Sequence, residues 1–240
     1  VRNHAFLKRI LFFLLGLLGL ISVLCSIAYT TVTNENLYLQ GFQQFAKTNH
    51  LNVTSRQYSD LAHALNRYLT GKTDEIQVKN PETGKMENAF SDTENLHLKD
   101  VRGILTALKI IRYAGGGLVI AVLGALYFLR KDQRPGLLAD AARGFALASL
   151  ALLLIALALL IWGLIDFTGL FWAFHRIVFA NDLWLMNPQT DLLVALMPES
   201  FFSWYGAELL KSLGPVLGMM LLIPIVWLRL IKSQKETKTT

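Results

Sequence analysis

Charge is scarce in this chain: Asp, Glu, Lys and Arg make up 17% of its 240 residues, against about 25% in ordinary soluble domains. With 53% hydrophobic residues and a mean hydropathy of +0.42, that shortage excludes a soluble globular protein and points to an integral membrane protein. Cysteine is nearly absent too. A single Cys25 excludes an intramolecular disulfide and any Cys-based metal cluster. The preceding Ser22-Val23-Leu24 fits a lipobox poorly, so Cys25 reads as a buried thiol. The chain also lacks a GxSxG elbow, an HExxH-like spacing and any cysteine in its hydrophilic loops. A conventional Ser or Cys acyl-enzyme is therefore not encoded in any recognisable way.

The net charge of +6 does not gather into one patch, as a nucleic-acid partner would require. It segregates around long apolar runs. Spanning a bilayer takes about 20 helical residues, and four segments qualify: residues 10–32, 113–129 (with a start as early as 104), 144–165 and 213–230. The first is long and lacks a small-x-small site, so it reads as a retained helix rather than a signal peptide. Val1 in place of methionine suggests an unusual start codon or a trimmed terminus. Arg2, Lys8 and Arg9 precede the first span; Arg130, Lys131, Arg134 and Arg143 lie between spans two and three; Arg229, Lys232, Lys235 and Lys238 follow span four. The short loop after span three holds only Arg176 and Lys211. The positive-inside rule then places both termini in the cytoplasm and the loops 33–112 and 166–212 outside. The expected architecture is all-α: one membrane domain over residues 1–240, four transmembrane helices, and an extracytoplasmic cap of amphipathic helices with a small hairpin.

In the first loop, "ENLYLQG" nearly matches a viral protease tag site, but its internal position makes coincidence the expected reading. "RQYSDLAHALNRYLTG" puts Tyr58, Leu61, Leu65, Tyr68 and Leu69 on one helical face, with Gly71 as a stop and His63 off the stripe in solvent. Residues 76–90 alternate weakly around a Pro-Glu-Thr-Gly turn, as in a short hairpin. Ser91 and Glu94 form a capping box. The helix that follows aligns His97, Val101, Ile104, Leu105, Leu108 and Ile111 on an apolar face beside a basic flank, which suits a helix at headgroup level. Gly115-Gly116-Gly117 allows either a bend or a continuous helix into span two.

The second loop holds ten aromatics between Phe167 and Tyr205, of the chain's 14 Phe, 7 Tyr and 5 Trp, which places it at the membrane interface. Helical spacing puts Phe171, His175, Val178 and Phe179 on one face. Asn181-Asp182 and Asn187-Pro188 mark breaks, and Thr190 is positioned to cap a short helix that stops at Pro198. Two histidines, His97 and His175, thus sit on apolar faces of the loops. They could be structural, hydrogen-bonded within a core. They could instead converge on a site that moves protons, with Asp100 and Asp182 as orienting partners. A zinc site would need a third ligand such as one of those aspartates.

"HLKDV" (97–101) and "FHRIVFANDLWLMNPQTDLLVALMPESFF" (174–202), together with Tyr68, Leu69 and Gly71, resemble the bacterial lipoprotein intramolecular transacylases, four-span membrane proteins. The resemblance covers nearly the whole chain. It implies a substrate lipoprotein whose N-terminal cysteine carries an S-diacylglyceryl group and a free α-amine, and transfer of the sn-2 acyl chain to that amine to give the lyso form. It implies the cell membrane of Gram-positive bacteria and no cofactor. Under it, His97, held by Asp100, is the general base and His175 the oxyanion partner, or the reverse. Arg176, Asn181 and Asn187 would position the ester or headgroup, and Trp184, Phe171 and Phe174 would shape an acyl groove or anchor the loop among membrane lipids. The rival reading is a non-enzymatic outer-leaflet lipid- or partner-binding protein, in which the two histidines lie apart or sealed from lipid.

Overall fold

The fold is taken from a computed structural model that describes residues 2–51, 53–129, 131 and 134–236. Of the basic residues that set the expected orientation, Arg130 and Lys238 lie outside the described residues, as does Val1. The chain is mostly helical: α1 Arg2–Val32, α2 Glu35–Phe45, α3 Tyr58–Leu69, α4 Asp92–Ile110, α5 Gly116–Leu129, α6 Arg134–Ile165, α7 Phe167–Val178, α8 Leu192–Leu196 and α9 Glu199–Glu236. A two-stranded antiparallel hairpin, β1 Gln77–Lys79 and β2 Met86–Asn88, separates α3 from α4. Four helices are long and apolar enough to cross a membrane, Phe6–Val32, Asp92–Leu129, Pro135–Ile165 and Glu199–Trp227. The protein is a multi-pass membrane protein.

Two of these helices begin earlier than the apolar runs suggest. The fourth starts at Glu199, directly after the Pro198 break. The second is helical from Asp92, so the segment carrying His97 is not a separate interfacial helix. The helical run continues through the glycines. Within it Ile111–Gly115 forms a π turn, and the Ser22 hydroxyl of α1 lies 2.8 Å from the Leu18 carbonyl and 3.2 Å from the Ile111 carbonyl. A π turn disturbs the regular i→i−4 ladder, and Ser22 gives one of the affected carbonyls a donor where water is absent.

The contacts divide the chain into two compact units. The first comprises the described residues of Val1–Ile27, Leu108–Ile161 and Ser212–Thr240. Phe12, Leu15 and Leu137 form one buried cluster with Val119, Val122, Leu123 and Leu126 around it. Leu20, Ala148 and Met220 form another, with Leu17, Phe145 and Val216 against it. The first unit is lipid-like on its outside, with Leu14, Ile120, Leu154 and Ile223 exposed. Helices in lipid gain little from apolar burial and pack through small residues. Here α1 and α6 approach at Gly16 and Gly144: a Cβ on Gly16 would sit 3.0 Å from the Phe145 Cα, and one on Gly144 would overlap the Phe12 carbonyl group. Lys8 and Asp140 form an ion pair at 2.6 Å.

The second unit comprises Ala28–Ala107 and Trp162–Lys211. "ENLYLQG" lies in an ordinary helix here: Asn34 caps α2 by accepting the Asn36 N–H, and Tyr38 and Phe42 are buried. Tyr38 stacks on Tyr205 at 5.9 Å and Phe42 meets Phe201 at 6.1 Å. The two tyrosine hydroxyls donate to the Val32 and Thr31 carbonyls in the last turn of α1, and the Thr31 carbonyl also accepts the Asn34 N–H at 3.1 Å. The stripe Tyr58, Leu61, Leu65, Tyr68 and Leu69 is buried as its spacing requires, and Gly71 ends α3 at φ +80°. His63 is exposed and bonded to Glu35.

Candidate active site

The capping box at the start of α4 forms: the Ser91 N–H donates to the Glu94 carboxylate at 2.7 Å, and the Glu94 N–H to the Ser91 hydroxyl at 3.4 Å. The other oxygen of Glu94 accepts the Leu193 N–H of α8 at 2.6 Å. Glu94 is only 3% exposed, so this carboxylate ties the start of α4 to the second loop one turn before His97. Sequence reading found the cap but not the second bond, which joins residues 99 apart.

On the other side of the site, Asp166 caps α7 by accepting the Gly169 N–H at 2.8 Å. That helix runs to Val178 and presents Phe171, Phe174 and His175. Residues 179–191 are irregular, as the Asn-Asp and Asn-Pro breaks require, although the short helix α8 has Asp191 rather than Thr190 at its N-cap.

His97 and His175 converge. Their ring centroids are 6.4 Å apart with the planes 24° from parallel, and each residue is 8% exposed. Phe179 touches both, at 4.8 Å from His97 and 5.5 Å from His175. His175 is further enclosed by Phe171 at 4.2 Å, Trp184 at 5.0 Å and Phe174 at 5.3 Å. The first limb of the rival reading, two distant histidines, is not what the fold contains. Phe179 was on the predicted face, four residues after His175, but its contact with His97 had no sequence signal.

The two rings differ in their hydrogen bonding. His175 Nδ1 lies 2.8 Å from the Phe171 carbonyl one turn back. A carbonyl only accepts, so Nδ1 carries the proton and Nε2 of the neutral ring keeps its lone pair. His97 Nδ1 is buried and has no partner among the described residues. Asp100 makes no hydrogen bond to it; one oxygen of the Asp100 carboxylate accepts the Asn181 side-chain amide at 2.9 Å. Asp182 is exposed and has no side-chain bond to His175, whose Nδ1 its own helix already satisfies.

Asn181 is a hub: its side-chain oxygen accepts the Leu183 N–H and its carbonyl accepts the Trp184 indole N–H. The run from Asp100 through Asn181 to Trp184 therefore sets the ring that covers His175. Arg176 lies over Trp172 at 5.6 Å, and Trp172 packs edge-on against Trp184 at 5.1 Å. Asn187 is used in its own turn, with its N–H bonded to Asp191 and its side-chain oxygen to the Gln189 N–H. Among the described residues no group of three His, Cys, Asp or Glu side chains is placed to hold a metal ion.

His175 lies in α7, outside the four helices that can cross the membrane. Burial lowers its pKa, against the bond to the Phe171 carbonyl. The ring is thus neutral at pH 7. Between pH 6.5 and the lowered value the unfolded chain binds a proton that the folded one does not, so this contribution to stability is fully present above 6.5. It is lost as pH falls through the folded value. Thermal unfolding followed from pH 7 to pH 4 is expected to show a falling Tm, with a smaller fall in His175→Phe, which has no proton to take up. An equal fall in both proteins would contradict the neutral, buried state of His175.

A cavity of about 730 Å³ lies elsewhere, between α3 and the hairpin, and contains neither histidine. Burial and ring packing, not cavity size, mark the histidine pair as the place where chemistry is feasible.

No curated protein matches the chain. Solved structures do. An in meso structure of the membrane integral lipoprotein intramolecular transacylase Lit from Bacillus cereus matches with a TM-score of 0.65 at 21% identity, covering 95% of this chain and 98% of that one. A variant of that protein with a histidine replaced by arginine matches with a TM-score of 0.62 at 20% identity, over 99% and 97% of the two chains. At these identities the likeness concerns the fold. The family model for lipoprotein intramolecular transacylase Lit matches residues 12–202, most of the chain and both histidines, and the chain belongs to that family.

Proposed function

We propose that this membrane protein moves the sn-2 acyl chain of a lipoprotein's S-diacylglyceryl group to the α-amine of the same N-terminal cysteine. The observation that carries the reading is the pair of buried imidazoles 6.4 Å apart, one with its tautomer fixed by the Phe171 carbonyl. The α-amine has a pKa near 8 and must lose a proton to attack an ester. In the transfer, the amine nitrogen bonds to the sn-2 carbonyl carbon and the ester C–O bond breaks. The amine proton goes to the base, and the departing glyceryl oxygen takes up a proton to become a hydroxyl. Nucleophile and electrophile sit on one molecule, so holding them together supplies part of the rate and no enzyme nucleophile is needed.

The fixed tautomer favours His175 as the base, acting through Nε2. The ring of His97, 6.4 Å from that of His175, is then the partner for the developing oxyanion. This reverses the preference drawn from sequence, where Asp100 was expected to hold His97. Asp100, Asn181 and Trp184 act through position, and Arg176, over the Trp172 ring, supplies a cation for a headgroup. Asn187 and Asp182 serve the loop. The basic residues at the chain ends and between spans two and three support cytoplasmic termini, and so a site at the outer leaflet of a bacterial cell membrane.

The test is mass spectrometry of lipoprotein N-termini from a host making only the diacylglyceryl form, with and without this protein. The expected result is an unchanged mass with one acyl chain moved from the glyceryl group to the amine. A gain of one acyl mass would mean transfer from a phospholipid instead. No change, with the protein folded in the membrane, would return both histidines to a structural role in a binding protein.

With His175 as a base of lowered pKa, the acid limb of kcat/KM is expected to lie below pH 6.5, the ordinary histidine value. A pH–rate profile on a synthetic diacylated lipopeptide checks this. An acid limb at or above 6.5 would place the working base elsewhere.

A further inference from the structure

The capping box at the start of α4 is lopsided: Ser91 is exposed, whereas Glu94 is 3% exposed. A cap works at the surface, and burying a carboxylate is costly unless its oxygens are bonded. Both oxygens of Glu94 are, one to the Ser91 N–H at 2.7 Å and the other to the Leu193 N–H at 2.6 Å. Six residues later Asp100 reaches the same loop from the same helix, accepting the Asn181 side-chain amide at 2.9 Å. His97 stands midway, three residues from each. At about 100° and about 1.5 Å per residue, the three side chains fall within about 120° of arc, and the two acids lie about 9 Å apart along α4. The chain between the two bonds carries Trp184, whose ring is 5.0 Å from that of His175. Phe179, which touches both imidazoles, precedes Asn181 by two residues and is the C-cap of α7. The register of this loop on α4 therefore sets how α7 brings His175 to His97.

We infer that Glu94 is a positioning residue of the acyl transfer, forming with Asp100 a two-point clasp, one point on each side of His97, that holds His175 in register with it. The inference rests on the transacylase reading and adds to it a residue that acts through the loop rather than on the substrate. The two points differ. The Leu193 bond is buried and the Asn181 bond exposed, so water can replace the second but not the first. A carboxylate only accepts, which suits two N–H donors; Glu94→Gln keeps the shape but turns an amide N–H2 toward one of them, and one bond is lost. A misplacement of about 1 Å at a reacting group is enough to cost about 10²-fold in rate.

The experiment uses the purified full chain and a synthetic diacylated lipopeptide. Glu94→Gln is expected to lower kcat about 10²-fold with KM within about twofold of wild type, because the rings lose register while the binding surface stays. In a His97→Ala background the same substitution is expected to cost little more, since groups that act as a unit are not additive. Ser91→Ala removes only the long limb of the cap and leaves the Leu193 bond, so its kcat should stay within about twofold of wild type. The exposed point is tested by exchange. Asn181→Asp sets two carboxylates against each other and is expected to lower kcat about tenfold. Adding Asp100→Asn restores a donor and an acceptor in the reverse order, and most of the rate should return.

A wild-type kcat in Glu94→Gln would overturn the proposal. So would an equal loss in the His97→Ala background, which would make Glu94 merely structural, or a loss in Ser91→Ala as large as that in Glu94→Gln, which would reduce its role to the helix cap. Should Glu94→Gln not fold, the exchange decides: an Asn181→Asp loss that Asp100→Asn fails to restore would also overturn the clasp. All of these results leave the transacylase reading intact. No transfer by the wild-type protein would withdraw that reading and the clasp with it.

Discussion

Replacing His175 with alanine is expected to slow acyl transfer by about 10²–10⁴-fold, the usual contribution of a positioned general base. The ring is held on four sides, by Phe171, Phe174, Phe179 and Trp184, so truncation also leaves a gap. His175→Gln is the companion variant, since it keeps most of the volume and a polar end but cannot act as a base near neutral pH. Both should show this loss, and the glutamine variant should keep a near-native Tm. His97→Ala is expected to lose about 10²–10³-fold, as for an oxyanion donor. If the two rings act on one proton path, the double variant should lose little more than His175→Ala alone. The rates are read by mass spectrometry of a diacylated lipopeptide in a single-turnover format. Full transfer by His175→Gln would end the assignment, and a strictly additive double variant would end the idea that the rings act together.

The second large effect is structural. Gly144→Leu is expected to prevent α1 and α6 from packing, because even a Cβ at that position meets the backbone of Phe12. Overpacking ordinarily costs about 1–3 kcal/mol, and a clash with backbone rather than with a movable side chain lies at the top of that range or above it. Gly16 faces the same crossing from the other helix, 3.0 Å from Phe145 backbone atoms, so the pair has little room to shift. Gly117→Leu is the control, since nothing lies within 4 Å of a Cβ there. Thermal unfolding and size-exclusion behaviour in detergent would report the difference. A Gly144→Leu protein as stable as Gly117→Leu would show that the helices do not cross closely at this point.

Periodicity carried a good deal of this molecule. The buried stripe of α3 from Tyr58 to Leu69, the capping box of Ser91 and Glu94, the hairpin around Gly84 and the apolar faces holding His97 and His175 all depend on neighbours within a few residues. Such patterns record which side of an element is buried, and they are written locally. The same logic misjudged lengths. The runs beginning near 113 and 213 are apolar only over part of helices that start at Asp92 and Glu199, because a helix continues through polar residues when tertiary contacts support it and nothing breaks it.

By itself, then, the sequence determined a four-helix membrane protein, the two histidine-bearing faces and, through the long aromatic motif, the family. Only the tertiary structure decided that the two rings stand 6.4 Å apart, that the Phe171 carbonyl fixes the tautomer of His175, and that Asp100 serves Asn181, 81 residues away. It also placed Ser22 on the π turn and Gly144 on the backbone of Phe12. All but the bond within α7 are contacts between segments distant in sequence. Helical and strand periods report burial but not the partner, so a sequence can say that His97 is covered without saying what covers it.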